Sequence, residues 1–296
     1  MVHDDGWEFT DDRGVTVRAG RRPERVLAYV RAGAALSDLG VAPVAVYGSA
    51  HDGPALDQAK AGALRRTDIT YLGPGAALDA AALRDVRPDL VLDVTYDGTR
   101  PYAVDEAAAR AADIPVLALS VAGTEPLPAI LRRFTELAAA LGRVSEVPVD
   151  PDAQLSGAEQ TVRAAAASGP PLRVLALSAA ASGDVHLARP DAWPELRHLA
   201  GLGVRFVHPD PAGGVNWHTT TWEQVGGLGA DLVLADCRGN AVQPPGLDAV
   251  AAWRTLTTEA LVEPWNPELP CSPAACSAYF RAVADALVIL RDKRSG

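Results

Sequence analysis

The stretch Asp150–Ser168, DPDAQLSGAEQTVRAAAAS, decides how the rest of the chain is interpreted. Its alanines, Glu159 and Arg163 favour a helix, and Asp150 or Asp152 can cap the start of that helix. The Gly-Pro-Pro sequence that follows would end it. Because runs of apolar strands and helices lie on both sides of this stretch, it predicts a single helical connection between two domains.

The fold class predicted from this arrangement is α/β, with two Rossmann-like lobes joined by one long helix. The N-terminal lobe is expected over 1–149, the connecting helix over 150–168 and the C-terminal lobe over 169–296. Small ligands usually bind in clefts at domain interfaces, so an interlobe ligand cleft is expected as well. The alternative is one surface helix in a single large α/β sheet.

Composition and charge limit the classes of function that fit the sequence. The chain has 296 residues, 48% of them hydrophobic and 22% charged, which is typical of a folded globular protein. Its formal net charge of −10 offers no basic footprint, so nucleic acid is not expected as a partner. The apolar runs are shorter than the roughly 20 residues that a spanning helix needs, and the acidic N-terminus resembles no signal peptide. We therefore expect no membrane span and a cytoplasmic location, unless a leader has been removed.

Apolar strands alternate with helices in the first half, which predicts a parallel sheet covered on both faces. A hairpin with Gly14 in its turn is expected over 7–18. The strands that follow are predicted at 25–29, 43–47, 69–72, 90–94 and 115–119. The helices are predicted at 32–39, 56–64, 79–86, 102–112 and 126–141.

The second half repeats this alternation. Asp89 and Asp231 each stand just before a buried strand that follows a helix, as a duplicated architecture would give. Strands are predicted at 173–177, 204–207 and 231–235. Helices are predicted at 190–199, 219–228 and 273–290.

Loops at the carboxyl ends of parallel strands are where ligands sit in open α/β sheets. Tyrosine and arginine recur in these loops of the first half, a pair of residue types that suits a polar or anionic ligand with flat parts. The candidate contacts are Arg31, Tyr47, Tyr96, Arg100 and Tyr102. In the second half Trp217 and His218 follow Gly213-Gly214 in a loop expected to face the cleft, and they join the candidates.

Motifs for chemistry are missing from the sequence. It contains no GxxxxGK[ST], no Gly-x-Ser-x-Gly and no His-Glu-x-x-His, and its six histidines have no metal-ligand spacing. The sequence therefore gives no positive support for an enzyme or for a protein-bound metal. Cys271 and Cys276 could form a bridge in an oxidising compartment, although reduced thiols are expected.

Several segments, in order, resemble the iron–siderophore and cobalamin type of ABC-transporter substrate-binding protein. Each motif is weak alone, but their order and spacing span nearly the whole chain. The segments are FTDDRGVTV at 9–17, PERVLA at 23–28, LSDLGVAPV at 36–44, RPDLV at 87–91, IPV at 114–116, WEQV at 222–225, WRTL at 253–256 and VEPW at 262–265.

This resemblance implies two α/β lobes joined by one helix and a shallow cleft for a ferric siderophore or similar chelate. The ending around Glu263-Pro264-Trp265 with Ser272-Pro273 is most similar to the hydroxamate-siderophore binders, so Trp265 and Trp253 become candidates to pack against the ligand. Core packing is the alternative for both and is favoured for Trp253. Iron would be held by the siderophore, so no cofactor of the protein's own is expected.

The resemblance also concerns a transporter partner. In that family a glutamate on each lobe docks on permease arginines; Glu223 fits the position in the second lobe. The first-lobe position, seven residues before Pro88, is Ala81, with Asp79 nearby. A monomer with an ABC permease as partner is what the family implies, and the missing first-lobe glutamate departs from that pattern.

Two other functions stay open at this point. The first is a cytoplasmic enzyme or accessory protein of small-molecule biosynthesis that kept the fold and turned its cleft to another ligand. The second is a structural or interaction module with a collapsed cleft. Lost export and lost docking charge would favour the first of these.

Overall fold

A computed structural model of the chain describes residues 6–142, 151–181, 183–208 and 214–295. The chain divides into two compact units. Unit 1 is Met1–Asp150 together with Glu268–Ala275, and unit 2 is Pro151–Pro267 together with Cys276–Gly296. The predicted α/β class is confirmed in both units, each of which has its own sheet.

Unit 1 is built on a five-stranded parallel sheet with the strand order β5-β4-β3-β6-β7, preceded by the two-stranded hairpin β1-β2. The central strands are buried on both faces, as their continuous apolar sequences predict. Its strands are β1 Trp7–Thr10, β2 Thr16–Ala19, β3 Val26–Tyr29, β4 Ala45–Gly48, β5 Tyr71–Pro74, β6 Leu90–Thr95 and β7 Val116–Ser120. Its helices are α1 Val30–Asp38, α2 Ala80–Val86, α3 Glu106–Ala111 and α4 Leu127–Ala140.

The turn of the hairpin covers the outer edge of β7. Asp11 accepts the amide of Ala118 at 2.9 Å and Asp12 accepts that of Ser120 at 2.7 Å. Arg13 donates to the carbonyl of Val116 at 3.1 Å. Side chains thus replace the hydrogen bonds that a further strand would make, which protects an edge that would otherwise be open to pairing.

The helix predicted over 56–64 is wrong. That region forms turns and then a 3₁₀ helix at Gly62–Arg66, and Gly62 has a φ of 51° that interrupts a right-handed helix. The Asp57 carboxylate accepts the amide of Ala59 at 2.9 Å, a local bond that competes with helix formation. Lys60, which lies within the predicted helix, is fully buried.

The segment Glu268–Ala275 belongs to unit 1 although it lies near the end of the chain. The Ser272 hydroxyl hydrogen-bonds to the carboxylate of Asp38 at 2.5 Å, and the guanidinium of Arg31 donates to the carbonyl of Leu269 at 3.0 Å. These bonds attach the segment to α1, directly behind the carboxyl end of β3.

Unit 2 carries a mixed six-stranded sheet with the order β11-β9-β8-β12-β13, in which β10 also pairs with β8. The strands β10, β8, β12 and β13 are parallel, whereas β9 and β11 are antiparallel. Its strands are β8 Arg173–Ala179, β9 Val185–Ala188, β10 Arg205–Phe206, β11 Trp217–Thr220, β12 Leu232–Asp236 and β13 Leu261–Trp265. Its helices are α5 Pro151–Ala167, α6 Pro194–Gly201, α7 Trp222–Gly226, α8 Ala251–Glu259 and α9 Pro273–Ser295, of which α9 begins within the segment of unit 1.

Unit 2 is less regular than its sequence predicts. Strands β9 and β11 were not predicted, and the helix expected over 219–228 is reduced to Trp222–Gly226 because Thr219 and Thr220 belong to β11. Threonines can cap the start of a helix, but their β-branched side chains also favour a strand. Helix α8 and strand β13 were likewise missed.

Helix α9 is the one helix of the described ranges that is long and apolar enough to cross a membrane, although no span was expected. Of its most apolar window, 56% is buried inside the protein. A core helix of a soluble domain passes the same test, so the length and composition of α9 are weak support for a span.

Candidate ligand-binding surfaces

Four tyrosines meet at the carboxyl end of the sheet of unit 1. Tyr29 ends β3, Tyr47 lies in β4, and Tyr96 follows β6, which are three neighbouring strands. Tyr102 lies in the loop that continues from β6. Because the carboxyl ends of parallel strands share one edge, residues distant in sequence converge here. We call these four residues the tyrosine surface.

The rings of the tyrosine surface contact one another in edge-to-face and tilted arrangements. The Tyr102 ring lies 4.7 Å from that of Tyr96 and 5.6 Å from that of Tyr29, and Tyr29 lies 6.1 Å from Tyr47. Tyr102 is 38% exposed and Tyr96 is half-buried, while Tyr29 and Tyr47 are fully buried. A ligand can therefore reach Tyr102 and part of Tyr96, and the two other rings support them.

Tyr47, a predicted contact, is a fully buried member of the tyrosine surface. Its ring occupies the space beside Gly75, where a Cβ atom would come within 2.5 Å of it. Its hydroxyl shares its hydrogen between the carbonyl of Leu92, at 3.3 Å, and the carboxylate of Asp93. Burial raises the pKa of this hydroxyl well above its ordinary value, so it remains a neutral donor.

Arg31, another predicted contact, lies beside the tyrosine surface and is only 4% exposed. Its guanidinium donates to the hydroxyl of Tyr96 at 3.2 Å and to the carbonyl of Leu269 at 3.0 Å. The residue therefore orients Tyr96 and attaches the 268–275 segment, and little of its charge faces solvent.

A buried ionic network lies behind the tyrosines and was missed by sequence reasoning. The Lys60 ammonium lies 2.7 Å from the carboxylates of both Asp52 and Glu268, and the Tyr29 hydroxyl donates to Glu268. Although burial alone would lower it, the two carboxylates hold the pKa of Lys60 above its ordinary value. Lysine is almost never fully buried unless it is paired, so this network has to form as a unit.

Arg100, another candidate, is not part of this arrangement. Its side chain is exposed and pairs with Asp97 at 3.2 Å within the same turn. The Asp97 carboxylate accepts the amides of Thr99 and Arg100 at 2.8 and 3.1 Å, and these bonds lower its pKa. An exposed arginine beside a carboxylate offers little uncompensated charge.

Unit 2 presents three tryptophans. The ring of Trp217 lies 5.0 Å from that of Trp193 and 5.8 Å from that of Trp265, and the latter two are 5.4 Å apart. The Trp265 indole donates to the carboxylate of Glu195 at 3.1 Å, and that of Trp193 donates to the carbonyl of Asn216 at 3.2 Å. We call Trp193, Trp217 and Trp265 the tryptophan cluster.

Only Trp217 of this cluster retains appreciable exposure, because Trp193 and Trp265 are buried. Trp217 and His218 are neighbours on the edge strand β11, not loop residues, so their side chains point to opposite faces of the sheet. The strand therefore does not place the two side chains on one common surface. Trp253, the other tryptophan raised by the resemblance, is buried in the core against Trp222, with ring centroids 5.6 Å apart.

The predicted docking residue Glu223 lies in the first turn of α7 and is exposed. A hydrogen bond with Thr221 lowers the pKa of its carboxyl, so it stays ionised. The first turn of α2 shows the corresponding position in unit 1: Ala81 is exposed there, and Asp79 is used as the helix cap, accepting the amides of Ala81 and Ala82 at 2.9 and 2.8 Å. Docking through Glu223 stays a prediction.

Residues missed by the sequence argument had weak signals. Lys60 is one of only two lysines in the chain, and Asp93 interrupts the apolar strand β6, which sets both apart from their surroundings. Glu268 gives no such signal, because its partners lie more than two hundred positions earlier in the chain. The three cysteines are free thiols, and among the described residues no group of three or more His, Cys, Asp or Glu could hold a metal ion.

Comparison with solved structures supports the predicted resemblance. DesE, a ferric-siderophore receptor protein from Streptomyces coelicolor, is 29% identical with a TM-score of 0.82, covering 95% of this chain and 97% of its own. A siderophore periplasmic binding protein from the fuscachelin gene cluster of Thermobifida fusca is 16% identical with a TM-score of 0.64, over 90% and 97% of the two chains. A periplasmic heme binding protein from Pseudomonas aeruginosa is 18% identical with a TM-score of 0.60, over 88% and 92%.

No protein-family model matches the sequence, and no curated protein matches it by sequence. The two more distant structures show the fold alone. Together the comparisons confirm that the chain has the two-lobe α/β fold of the siderophore and haem class of periplasmic binding proteins.

Proposed function

We propose that this protein is the substrate-binding component of an ABC uptake system and that its ligand is a ferric siderophore of the hydroxamate class. The observation that carries the proposal is the tyrosine surface, which presents the partly exposed ring of Tyr102 at the ligand edge of unit 1. The similarity to a ferric-siderophore receptor over nearly the whole length of both chains supports it.

Charge favours a neutral chelate. Ferric iron held by three hydroxamates is neutral, whereas three catecholates leave an excess of negative charge at the metal. The cations next to the tyrosine surface are buried. Arg31 donates a hydrogen bond to the Tyr96 hydroxyl, and Lys60 pairs with two carboxylates. Because electrostatic complementarity decides between partners of similar shape, this surface suits an uncharged tris-hydroxamate iron centre better than an anionic tris-catecholate one.

The exposed rings suit the rest of such a ligand. A siderophore encloses its iron in a shell of methylene and amide groups. Tyr102 and Trp217 offer flat apolar faces with few rotatable bonds, which bind such a shell at low entropic cost. In this proposal the iron stays with the siderophore and no protein atom ligates it.

Location and partner follow from the same proposal. Two of the structural neighbours are described as periplasmic, which supports export, and the cytoplasmic location expected from the sequence gains no support from them. The permease contact would use the ionised, exposed Glu223 of unit 2. Ala81 leaves the corresponding position of unit 1 without a charge, so docking would be unequal between the units.

A binding titration tests the proposal. Tryptophan fluorescence is followed while purified protein is titrated with ferrioxamine B, ferric enterobactin, haemin and the two iron-free siderophores. We expect saturable quenching with ferrioxamine B at micromolar or lower concentration and much weaker responses to the others. Preference for ferric enterobactin would refute the charge argument, and a response to haemin alone would move the protein to the haem binders.

Variants in each unit connect the response to the proposed contacts. Tyr102→Ala and Trp217→Ala should each weaken ferrioxamine B binding about tenfold or more, equivalent to about 1.4 kcal/mol. Val15→Ala, at an exposed apolar position of the hairpin, and Glu223→Ala should leave the affinity unchanged. A flat response of the wild type to the whole panel would favour the repurposed biosynthetic protein instead.

A further inference from the structure

We propose that Asp93 is a positioning residue for ligand binding: its buried carboxylate fixes the loop that carries Tyr96 and Tyr102 and so presents Tyr102 to the ligand. The identity of the ligand rests on the proposed function, whereas the fixing of the loop does not. Nothing in the sequence pattern assigned Asp93 a role.

The position of Asp93 is unusual for a carboxylate. It lies in the middle of β6, a strand whose six residues are all buried, and is itself fully buried. Transferring a carboxylate from water into such a site is costly unless hydrogen bonds compensate it. An apolar residue would fill the strand at lower cost, so the carboxylate points to a requirement other than core packing.

The hydrogen bonds of Asp93 show what it holds. One carboxylate oxygen accepts the amides of Ala103 and Val104 at 3.0 and 2.8 Å, and the other accepts the amide of Val94 at 2.7 Å. Ala103 directly follows Tyr102 in the chain. Asp93 therefore clamps the far end of the loop onto the strand from which the loop starts.

The rest of the loop depends on this clamp. Its first turn is closed locally by Asp97, and the amide of Tyr102 donates to the carbonyl of Val94 at 2.9 Å. The intervening residues 97–100 are exposed. Without Asp93, the amides of Ala103 and Val104 would lose their partner, and the Tyr102 ring would no longer be held in edge contact with Tyr29 and Tyr96.

The surroundings of Asp93 contain no compensating cation in the described ranges. From β4 the hydroxyl of Tyr47 hydrogen-bonds to it, and the other partners are the three backbone amides. Hydrogen bonds between an ionised acceptor and backbone amides are about twice as strong as neutral ones. Burial nevertheless raises the pKa of Asp93 to about 6, so retaining the carboxylate costs stability near neutral pH.

The test compares Asp93→Asn with Leu83→Ala, a buried position of α2 that makes none of the loop's hydrogen bonds. The asparagine has the same shape but turns one acceptor into a donor that faces backbone amides. We measure amide hydrogen exchange of residues 96–104 without ligand, ferrioxamine B affinity and the thermal midpoint for both variants and the wild type.

We expect Asp93→Asn to speed exchange in 96–104 at least tenfold and to weaken ferrioxamine B binding at least tenfold. Leu83→Ala should lower the thermal midpoint without either effect. Equal effects of the two variants on exchange and affinity, or unchanged exchange in 96–104, would overturn the proposal.

Two further results keep the test decisive. If Asp93→Asn does not fold, Tyr47→Phe removes one donor to the carboxylate, and faster exchange confined to 96–104 is expected, whereas unchanged exchange overturns the proposal. If the wild type binds no ferric complex, the proposed function fails while the exchange comparison still decides the role of Asp93.

Discussion

In unit 1, buried charged groups lie behind the exposed ring of Tyr102. In unit 2, two other aromatic rings lie behind the partly exposed ring of Trp217. Behind Tyr102 lie the Lys60 network and the Asp93 clamp, each fully buried. Behind Trp217 lie Trp193 and Trp265 in edge contact. The difference teaches that an aromatic ring can be held in place mainly by directional polar bonds or mainly by contacts with other rings, and the two arrangements should fail differently.

The largest expected effect is the loss of the lysine in unit 1. Lys60→Met leaves two buried carboxylates without their cation, so we expect the free energy of unfolding to fall by about 3–5 kcal/mol. Urea denaturation measures this. Glu268→Gln, which leaves the Lys60–Asp52 pair in place, should cost less, and equal losses for the two variants would contradict the role of Lys60 as the common partner of both carboxylates.

A similar loss in unit 2 should come from a cavity. Trp265→Ala removes a fully buried ring and the indole donor of Glu195, and we expect a loss of about 3 kcal/mol. Trp265→Phe keeps most of the packing and should recover more than half of that loss in the same urea assay. A phenylalanine variant as unstable as the alanine variant would place the indole hydrogen bond, and not packing, at the centre of unit 2.

Fold class and the strands of unit 1 could be predicted because continuous apolar runs between helices have one common solution, the covered parallel sheet. The edge strands β9 and β11 could not. Their pairing joins residues 29 to 35 positions apart, such as Trp217 with Ala188 and Thr220 with Val185, and neither segment has a long apolar run. Local patterns do not encode such pairing.

The candidate site was predicted in part for the same reason. Arg31, Tyr47, Tyr96 and Tyr102 could be predicted to lie near one edge because the carboxyl ends of parallel strands meet there, and their contact with a ligand stays a prediction. Lys60 and Glu268 were missed because their network exists only after folding brings 52, 60 and 268 together. Exposure, which separates Tyr102 from Tyr47, depends on the neighbours of each ring and cannot be taken from the sequence.

The pH dependence of the free energy of unfolding distinguishes the buried Asp93 carboxylate of unit 1 from the tryptophan cluster of unit 2. The pKa of Asp93, about 6 in the fold against an ordinary 3.8, means that the folded chain holds a proton that the unfolded chain has already lost. This contribution to stability is present below about pH 4 and is lost as the pH rises to about 6.

The difference in unfolding free energy between wild type and Asp93→Asn should therefore fall by about 2–3 kcal/mol from pH 4 to pH 7. Urea denaturation at unit pH intervals measures it, with the same difference for Trp265→Phe as the control without a titrating group. A flat difference for Asp93→Asn would mean that the carboxyl is not perturbed.

The smallest effect compares the first turns of α2 and α7. Asp79→Ala removes two cap hydrogen bonds and should cost about 1 kcal/mol. The Thr221 side chain makes no cap bond, so Thr221→Ala should lower the free energy of unfolding by less than about 0.5 kcal/mol. Thermal unfolding of both variants would show this order, and a reversed order would contradict the assignment of Asp79 to capping rather than to docking.

The central claim is that the protein binds a ferric trishydroxamate and that Tyr102 of unit 1 and Trp217 of unit 2 each respond to it. The most direct measurement is a titration of ¹⁵N-labelled protein with the diamagnetic gallium complex of desferrioxamine B, followed by nuclear magnetic resonance. We predict shifts of the amides in 96–104 and of the indole signal of Trp217, with the indoles of Trp7 and Trp222 unchanged. Saturable binding that leaves both regions unshifted, or no binding at all, would contradict the account.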